Sequence, residues 1–396
     1  MGSIYLDYNA TAPPEPAVID AVTRAMRDLV GNASSVHRDG QRAKSAVEEA
    51  RAQVAALVNA RPGEIVFTSG GSESDNLALR GVVPPALAAG RRRLVVSAIE
   101  HDAVLATARA LVCGGVQLDV LLVPESGLVE SDRLREVECI QTALVSVMLA
   151  NNETGVIQPV ARLAEIAKAH GAIVHSDAVQ AAGRIPIDVG ALGIDLLSLS
   201  AHKFGGPKGV GALWVKPGTP LTACLTGGRQ ERRRRAGTEN VPAIVGMGVA
   251  ADLARTRLHD EANRLRSLRD HLEVCVRATI PDTSVNGCME PRLPNTSNLS
   301  FAGVDAETLL IGLDLEGVSV STGSACSSGS IDPSHVLMAM GLPPSRVQSA
   351  IRFSLGAGTT RGEIERVATL LPGLVARLRA ARGATARSEA PRIGLG

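Results

Sequence analysis

The chain has 396 residues, too many for one small core, which suggests two lobes or one large domain with an extra piece. Its 41 basic and 40 acidic side chains give a net charge of +1, so no general attraction to nucleic acid or to an anionic membrane is expected. One Trp, two Tyr and four Phe are too few for base-stacking platforms, and no charge-free run reaches membrane-span length.

The beginning of the chain and its cysteines bear on its compartment. Residues 1–6 lack the basic and apolar regions of a secretory signal, which predicts a cytoplasmic protein. The cysteines contain no CxxC pair, so neither a zinc site nor a disulfide framework is expected. Apart from Cys326, most of them are expected to be small buried hydrophobic side chains. The six cysteines are Cys113, Cys139, Cys224, Cys275, Cys288 and Cys326.

Helical and strand-like runs alternate along the chain, which is typical of an α/β fold with a mostly parallel sheet. The predicted helices cover residues 43–58, 72–82, 103–112 and 160–169, and the predicted strands cover residues 64–67, 93–97, 117–122, 143–149, 173–175, 196–199 and 211–215. A long helix over residues 241–278 follows, and strand-helix-strand pieces come after it.

The change of character within the long helix predicts a domain boundary near Arg255. The predicted large domain covers residues 13–255, and a smaller α/β domain combines residues 1–12 with residues 256–382. Residues 383–396 lack an apolar period and are predicted to form a mobile tail.

Asp177 and Lys203 are the most informative pair of residues. Each follows an apolar strand-like run, so both are expected at strand carboxyl ends, where open α/β sheets bind ligands. Pyridoxal phosphate needs a lysine amine for its covalent link, a carboxylate that keeps its ring nitrogen protonated, and small polar groups for its phosphate. Either residue alone would suggest an ordinary loop side chain, but together they predict a pyridoxal phosphate site.

A glycine-rich segment, residues 67–74, joins a predicted strand to a predicted helix. Its backbone N–H groups could close around a phosphate through Gly71 and Ser72, although a plain turn capped by Ser72 explains the segment equally well. Ser200 and His202 flank the lysine and offer further donors, which favours the phosphate interpretation.

Three other side chains are candidates with competing explanations. His101 opens a predicted helix after a strand, where it could stack on a flat cofactor ring and move protons, or simply cap the helix. Asn152 ends another strand and could reach the ring's phenolic oxygen or a substrate carboxylate, or form an Asx turn. Arg352 lies in a strand-like run and could clamp a carboxylate or serve in a structural ion pair.

Cys326 lies in the middle of a Ser/Gly-rich segment, residues 319–330. Because its neighbours are small, polar and flexible, the thiol is predicted to be exposed and mobile. Such a thiol suits nucleophilic chemistry where a base or a positive charge favours the thiolate.

Together these motifs resemble, in order and across nearly the whole chain, the cysteine desulfurases of the NifS/IscS type. Ala12 and Ala33 depart from residues that are usual in that family, and this affects only the expected local loop geometry. The matching motifs are Leu6-Asp7-Tyr8-Asn9-Ala10-Thr11, Phe67-Thr68-Ser69-Gly70-Gly71-Ser72-Glu73-Ser74-Asp75-Asn76, Glu100-His101, Asn151-Asn152-Glu153-Thr154-Gly155, Asp177-Ala178-Val179-Gln180, Ser200-Ala201-His202-Lys203, Arg235-Ala236-Gly237-Thr238-Glu239-Asn240 and Gly323-Ser324-Ala325-Cys326.

The resemblance implies a pyridoxal phosphate-dependent transferase of aminotransferase class V, fold type I, acting as a homodimer with the cofactor on Lys203. It assigns Asp177 to the ring nitrogen, Gln180 to the phenolic oxygen, and His101 to ring stacking and proton transfer. Asn152, a neighbour of the cofactor, and Arg352 would hold the substrate carboxylate. The implied phosphate ligands are Gly71, Ser72, Ser200, His202 and, reaching over from the partner subunit in the loop that carries the basic run 232–235, Thr238.

The implied reaction converts L-cysteine to L-alanine and leaves a persulfide on Cys326. That sulfur would pass to a scaffold protein for iron–sulfur cluster assembly, with nitrogenase maturation as one destination. Cys326 could also bind a nascent cluster shared with the scaffold, and the enzyme would need no metal of its own. The alternatives are a selenocysteine lyase or another class V aminotransferase, which would need no exposed Cys326, and a non-catalytic sulfur-carrier scaffold, which intact Lys203, Asp177 and His101 disfavour.

Overall fold

The computed structural model describes residues 3–137, 141–323 and 333–388. The helices of this part are α1 (Pro16–Asp28), α2 (Arg38–Leu57), α3 (Gly71–Ala88), α4 (Asp102–Val112), α5 (Ser131–Glu136), α6 (Val160–Ala169), α7 (Val189–Leu192), α8 (Gln230–Arg233), α9 (Val241–Thr279), α10 (Ala306–Leu315), α11 (His335–Ala339), α12 (Pro344–Val347) and α13 (Arg361–Ser388). The strands are β1 (Ile4–Tyr5), β2 (Ile65–Thr68), β3 (Arg93–Ser97), β4 (Gln117–Leu121), β5 (Thr142–Ser146), β6 (Ile173–Asp177), β7 (Leu196–Ser200), β8 (Gly211–Val215), β9 (Thr283–Val285), β10 (Thr296–Phe301), β11 (Val318–Ser319) and β12 (Ala350–Ser354).

The main sheet runs in the order β2-β8-β7-β6-β5-β3-β4. Strands β3 to β7 pair in parallel, and β8 is antiparallel to both of its neighbours. Every residue of β5 and β7 is buried, because helices cover both faces of the sheet, and this explains their nearly unbroken apolar sequences. The α/β class with a mostly parallel sheet is therefore confirmed.

Two neighbouring parallel strands deliver the two key residues to one edge of this sheet. Strand β6 ends at Asp177, and β7 ends at Ser200, which leads directly into a short 3₁₀ turn, Ala201–Lys203. The carboxyl ends of parallel strands meet at the same sheet edge, so the prediction that Asp177 and Lys203 lie there is confirmed.

A second hydrophobic cluster lies apart from the main sheet. It combines Ile4 and Leu6 with side chains between Leu265 and Val375, around a sheet in the order β12-β10-β9. Helix α9 contributes to both parts, through residues such as Met247 to the cluster against the main sheet and through Leu272 to the second cluster. This distribution supports a division into two lobes, but the boundary near Arg255 stays a prediction because α9 crosses it without a break.

The predicted elements agree with the observed ones to within a few residues, with one clear difference at the end of the chain. Residues 383–388, which lack an apolar period, continue helix α13, while the mobility predicted for residues 383–396 stays a prediction. Residues 389–396 lie outside the described part. In the described ranges, no helix has the length and apolar character needed to cross a membrane.

A buried ion pair lies within the smaller lobe, where it holds a segment that contacts the large lobe. The Arg292 guanidinium donates to both carboxylate oxygens of Glu273, at 2.7 and 3.0 Å, and both residues are at most 3 % exposed. Arg292 also forms an antiparallel bridge with Val156, in the loop that follows Asn152. The pair therefore holds Arg292 against α9, and the backbone of Arg292 pairs with a loop of the large lobe.

We expect Glu273→Leu to lower the free energy of unfolding by about 3–5 kcal/mol, because it leaves the Arg292 charge buried without a partner. The matched control is Glu365→Leu, which removes an exposed pair with Arg361 and should cost about 1 kcal/mol or less. Urea unfolding followed by circular dichroism measures both. Equal losses for the two variants would contradict the role given to the buried pair.

Candidate active site

A cavity of about 340 Å³ opens at the carboxyl edge of the main sheet, and we call it the central cavity. It is lined by residues from both lobes. Among the predicted site residues, those that line it are Gly71, Ser72, His101, Asn152, Asp177, Gln180, Ser200, His202, Lys203 and Arg352. Predicted residues from six separate stretches of sequence thus meet in one place, although their individual roles stay predictions.

Lys203 projects into the central cavity from the turn after β7. Its Nζ donates to the backbone carbonyl of Asn9 at 2.7 Å and to that of Ala10 at 2.9 Å. Burial and the nearby cations Arg352 and Arg184 lower the pKa of the Lys203 amine to about 8. About one tenth of the amine is then neutral at pH 7, against less than about 0.1 % for an ordinary lysine, so it is primed for nucleophilic attack on a carbonyl.

Asp177 has a second carboxyl group as its neighbour, that of Asp75 on α3. Burial raises the pKa of both, and the charge of Asp177 raises the pKa of Asp75 further, well above its usual range. Only Asp177 accepts a backbone N–H, from Val179 at 2.8 Å, and faces the charges of His101 and Lys203. The proton of this pair therefore belongs on Asp75, and Asp177 is the member that carries the negative charge.

His101 has the position that both of its competing explanations require. It is the N-cap of α4, where Nδ1 accepts the backbone N–H of Ala103 at 3.1 Å, and it also lines the central cavity. Since capping occupies Nδ1 as an acceptor, Nε2 is the ring nitrogen left to exchange protons. Capping and a catalytic role are thus compatible.

The start of α3 approaches the end of β7 closely. A Cβ at Gly71 would lie 2.8 Å from Val179 Cγ2 and 3.5 Å from Ser200 Cβ, so only glycine permits this approach. His202 bonds through Nδ1 to Thr11 Oγ1 at 3.2 Å, and burial beside Lys203 lowers its pKa to about 4. His202 is therefore neutral at pH 7 and retains a ring nitrogen for a phosphate oxygen.

Arg352 serves in an ion pair and also keeps unused capacity. Its Nη2 lies 2.7 Å from Asp7 Oδ1, and its Nη1 donates to the backbone carbonyl of Asn152 at 3.1 Å. Its buried Nε has no hydrogen-bond partner within the described residues. Arg352 therefore forms the structural ion pair that was expected as an alternative. Its Nε can still donate a hydrogen bond to a carboxylate.

One predicted residue lies away from this cavity, and another falls outside the described residues. Thr238 is exposed, in a loop held by Arg235, whose Nε lies 2.9 Å from Glu73 Oε1. Cys326 lies outside the described residues, as does Cys139. The expectation that most cysteines are buried is wrong for the four that are described, since Cys113 and Cys224 are exposed and Cys275 and Cys288 are partly exposed.

Several residues of the site had no role predicted from the sequence. Asp7, Asn9 and Ala10 contact Arg352 or Lys203, and Arg184 donates to the Lys203 carbonyl at 3.3 Å. The motif of residues 6–11 is visible in the sequence, but these residues contact partners that are more than 140 positions away in the chain. No local pattern reports such contacts.

The chain is similar to proteins of known family over most of its length. The Aminotransferase class-V family matches residues 4–367. Cysteine desulfurase IscS of Dictyoglomus turgidum is 45% identical over 376 residues, which are 95% of each chain. A solved NifS-like protein is 35% identical with a TM-score of 0.89, over 95% of this chain and all of that one. The structure of SspA in complex with cysteine is 34% identical with a TM-score of 0.80, over 89% and 99% of the two chains.

The chain belongs to the class-V aminotransferases. Within that family its relatives are cysteine desulfurases, and the enzymes of the family depend on pyridoxal phosphate. The central cavity fits this cofactor: Lys203 offers a partly neutral amine, Asp177 a buried carboxyl group, and Gly71 a helix start that no other residue could bring so close to Val179. The buried Nε of Arg352 is a donor without a hydrogen-bond partner among the described residues.

We expect the Lys203 amine of the cofactor-free protein to react with an acylating reagent in proportion to its neutral fraction, with a midpoint near pH 8. A lysine-containing model peptide treated in parallel is the control and should show a midpoint above pH 10. Mass spectrometry of modified peptides across a pH series measures both. A shared midpoint for the two lysines would contradict the electrostatic description of the cavity.

Proposed function

We propose that this enzyme converts L-cysteine to L-alanine, with Cys326 taking the sulfur as a persulfide for transfer to a scaffold protein of iron–sulfur cluster assembly. It would act in the cytoplasm as a homodimer. The single observation that carries the proposal is the meeting of Lys203, Asp177, His101 and Arg352 around one cavity in a chain whose relatives are cysteine desulfurases. The cysteine bound to the related SspA supports the same substrate.

Arg352 and Asn152 are suited to hold the carboxylate of the amino acid. The free Nε of Arg352 offers one donor, and the Asn152 side chain lines the same wall of the cavity. Because Nη1 is fixed on the Asn152 carbonyl and Nη2 on Asp7, the guanidinium is oriented before substrate arrives. A preoriented arginine loses little conformational entropy on binding.

Lys203 and Asp177 are suited to the proton and charge changes at the substrate Cα. Pyridoxal phosphate, when bound, withdraws electrons from the Cα of the amino acid attached to it. Asp177 would keep the ring nitrogen protonated, because it is buried and its N–H contact from Val179 favours the negative charge on this member of the pair. The Lys203 amine would first hold the cofactor and, once released, remove the Cα proton, for which its pKa of about 8 is well matched at neutral pH.

Cys326 is the proposed sulfur acceptor. Its thiolate would attack the substrate sulfur, so that a sulfur–sulfur bond forms while the Cβ–S bond breaks, and the electron pair stays with the carbon fragment that gains protons to become alanine. Gly323, which lines the cavity, is three residues from Cys326, and three residues span at most roughly 10 Å. Chain connectivity alone therefore supports access of the thiol to the cavity.

Glu153 contacts residues on both sides of the stretch that includes Cys326. It is buried and hydrogen-bonded by Ser334, and a Cβ at Gly323 would lie 2.7 Å from its Oε2. Gly323 precedes and Ser334 follows the stretch that includes Cys326. Gly323 and Ser334, on either side of that stretch, thus both contact one buried carboxyl group.

We expect Cys326→Ala to bind L-cysteine, seen as a change in cofactor absorbance, yet to release alanine roughly a thousandfold more slowly and to carry no persulfide. Cys326→Ser should behave alike, since a hydroxyl has no thiolate form. Lys203→Ala is the matched control that loses the covalent cofactor link as well. Alanine formation by Cys326→Ala at the wild-type rate, with an acceptor present, would favour an aminotransferase or lyase instead.

Thr238 is proposed to complete the phosphate site of the partner subunit. It does not line the central cavity of its own chain, and its loop is anchored next to the α3 start through the Arg235–Glu73 pair and through Glu231, which is bound to buried Arg51 at 2.7 Å. The loop therefore has a fixed base and an exposed tip, as a contact across a dimer requires.

We expect Thr238→Ala to weaken pyridoxal phosphate binding by roughly 10-fold or more, the usual effect of losing a hydrogen bond to a charged group. Mixed dimers of Thr238→Ala with Lys203→Ala subunits distinguish action across the interface from action within a chain. If Thr238 acts across the interface, half of the sites regain wild-type affinity in an absorbance titration. Absence of any restored site would sink the assignment.

A further inference from the structure

Arg184 is a buried cation at the boundary of the two lobes. It is 8% exposed, and its donors go to neutral oxygens: Nη1 to the side chains of Asn9 and Gln180, and Nη2 to the carbonyls of Tyr8, at 3.2 Å, and Lys203, at 3.3 Å. None of its hydrogen-bond partners among the described residues is a carboxylate. A buried arginine without a counter-ion is costly, which implies that its charge or its geometry serves a purpose.

The first purpose follows from the contact with Gln180. Arg184 Nη1 donates to Gln180 Oε1 at 2.9 Å, so the oxygen of this amide is occupied and its orientation is fixed. The Gln180 Nε2 donates one hydrogen to the Asn9 carbonyl at 2.9 Å, which leaves its second hydrogen free at the wall of the central cavity. Gln180 can therefore approach a cofactor oxygen only as a donor.

The second purpose concerns charge. The charged groups that face the Lys203 amine are the cations Arg352 and Arg184 and the anions Asp177 and Asp7. Asp7 is in contact with Arg352 at 2.7 Å, which partly cancels both charges, whereas Arg184 has no such partner. Arg184 thus acts on the ammonium form of Lys203 without compensation from a neighbouring acid.

We propose that Arg184 is a positioning residue for the cofactor site: it holds the Gln180 amide as a hydrogen-bond donor and, through its contact with the Lys203 carbonyl at 3.3 Å, places a positive charge next to the lysine. The proposal rests on the cofactor site described above. It goes beyond that site because Arg184 itself does not line the central cavity.

The charge is tested in cofactor-free protein by the pH dependence of Lys203 acylation. Arg184→Gln should raise the Lys203 midpoint by about one pH unit, because one nearby cation is removed, while Arg184→Lys should leave it close to wild type. Arg269→Gln, which removes another buried arginine far along α9, controls for general loosening and should leave the midpoint unchanged. An unchanged midpoint in Arg184→Gln, or an equal shift in Arg269→Gln, overturns this part of the proposal.

The orientation of Gln180 is tested by a double-mutant cycle on the dissociation constant of pyridoxal phosphate. Gln180→Leu and Arg184→Lys should each weaken binding by roughly 10-fold, and the double variant should be no weaker than Gln180→Leu alone, because Arg184 acts through Gln180. Additive losses overturn the proposal. Arg184→Lys keeps the buried charge, so this arm remains available if Arg184→Gln does not fold. Failure of wild-type protein to bind the cofactor would reject the proposed function itself, and the acylation arm would still decide whether Arg184 acts on Lys203.

Discussion

The site depends on one buried asparagine between the two lobes. Asn9 is 1% exposed, and each of its polar groups is hydrogen-bonded. The partners on the large lobe are Asn152, Gln180, Arg184 and Lys203, and those on the smaller one are Asn295, Thr296 and Ser354. An amide can satisfy so many groups only at one position, because each hydrogen bond restricts both distance and angle. The distance between the lysine of the large lobe and the arginine of the smaller lobe is thereby set by an N-terminal residue that belongs to neither sheet.

The sequence was sufficient to predict which residues lie at the carboxyl edge of the sheet and which form most of the cavity wall. Parallel strands must end together, so Asp177, Ser200 and Asn152 could be expected at one edge from the apolar runs that precede them. Periodicity also located α9 to within one residue at its end. It failed at the end of α13, where residues 383–388 continue the helix despite their lack of an apolar period, since a helix can extend beyond the turns that pack.

The contacts that could not be predicted are those between distant segments. The pairing of Arg352 with Asp7 joins positions 345 residues apart, and Arg184 reaches Asn9 over 175. Such contacts follow from how the lobes dock, which hydrophobic patterns do not encode. The exposure of Cys113 and Cys224 was missed for a related reason, because the general tendency of free cysteines to be buried says nothing about an individual turn or loop.

Charge explains why these residues must be held so firmly. The cavity collects the cations Lys203 and Arg352, with Arg184 behind them, and the facing carboxyl groups are Asp177 and Asp7, of which Asp7 lies 2.7 Å from Arg352. The positive charges of Lys203 and the arginines repel each other unless an anion binds between them. Both the cofactor phosphate and an amino-acid carboxylate are anions. The positive charges around the cavity therefore favour the binding of anions. Arg352 and Arg184 also lower the pKa of Lys203, so that affinity for anions and reactivity of the amine have a common origin in these two arginines.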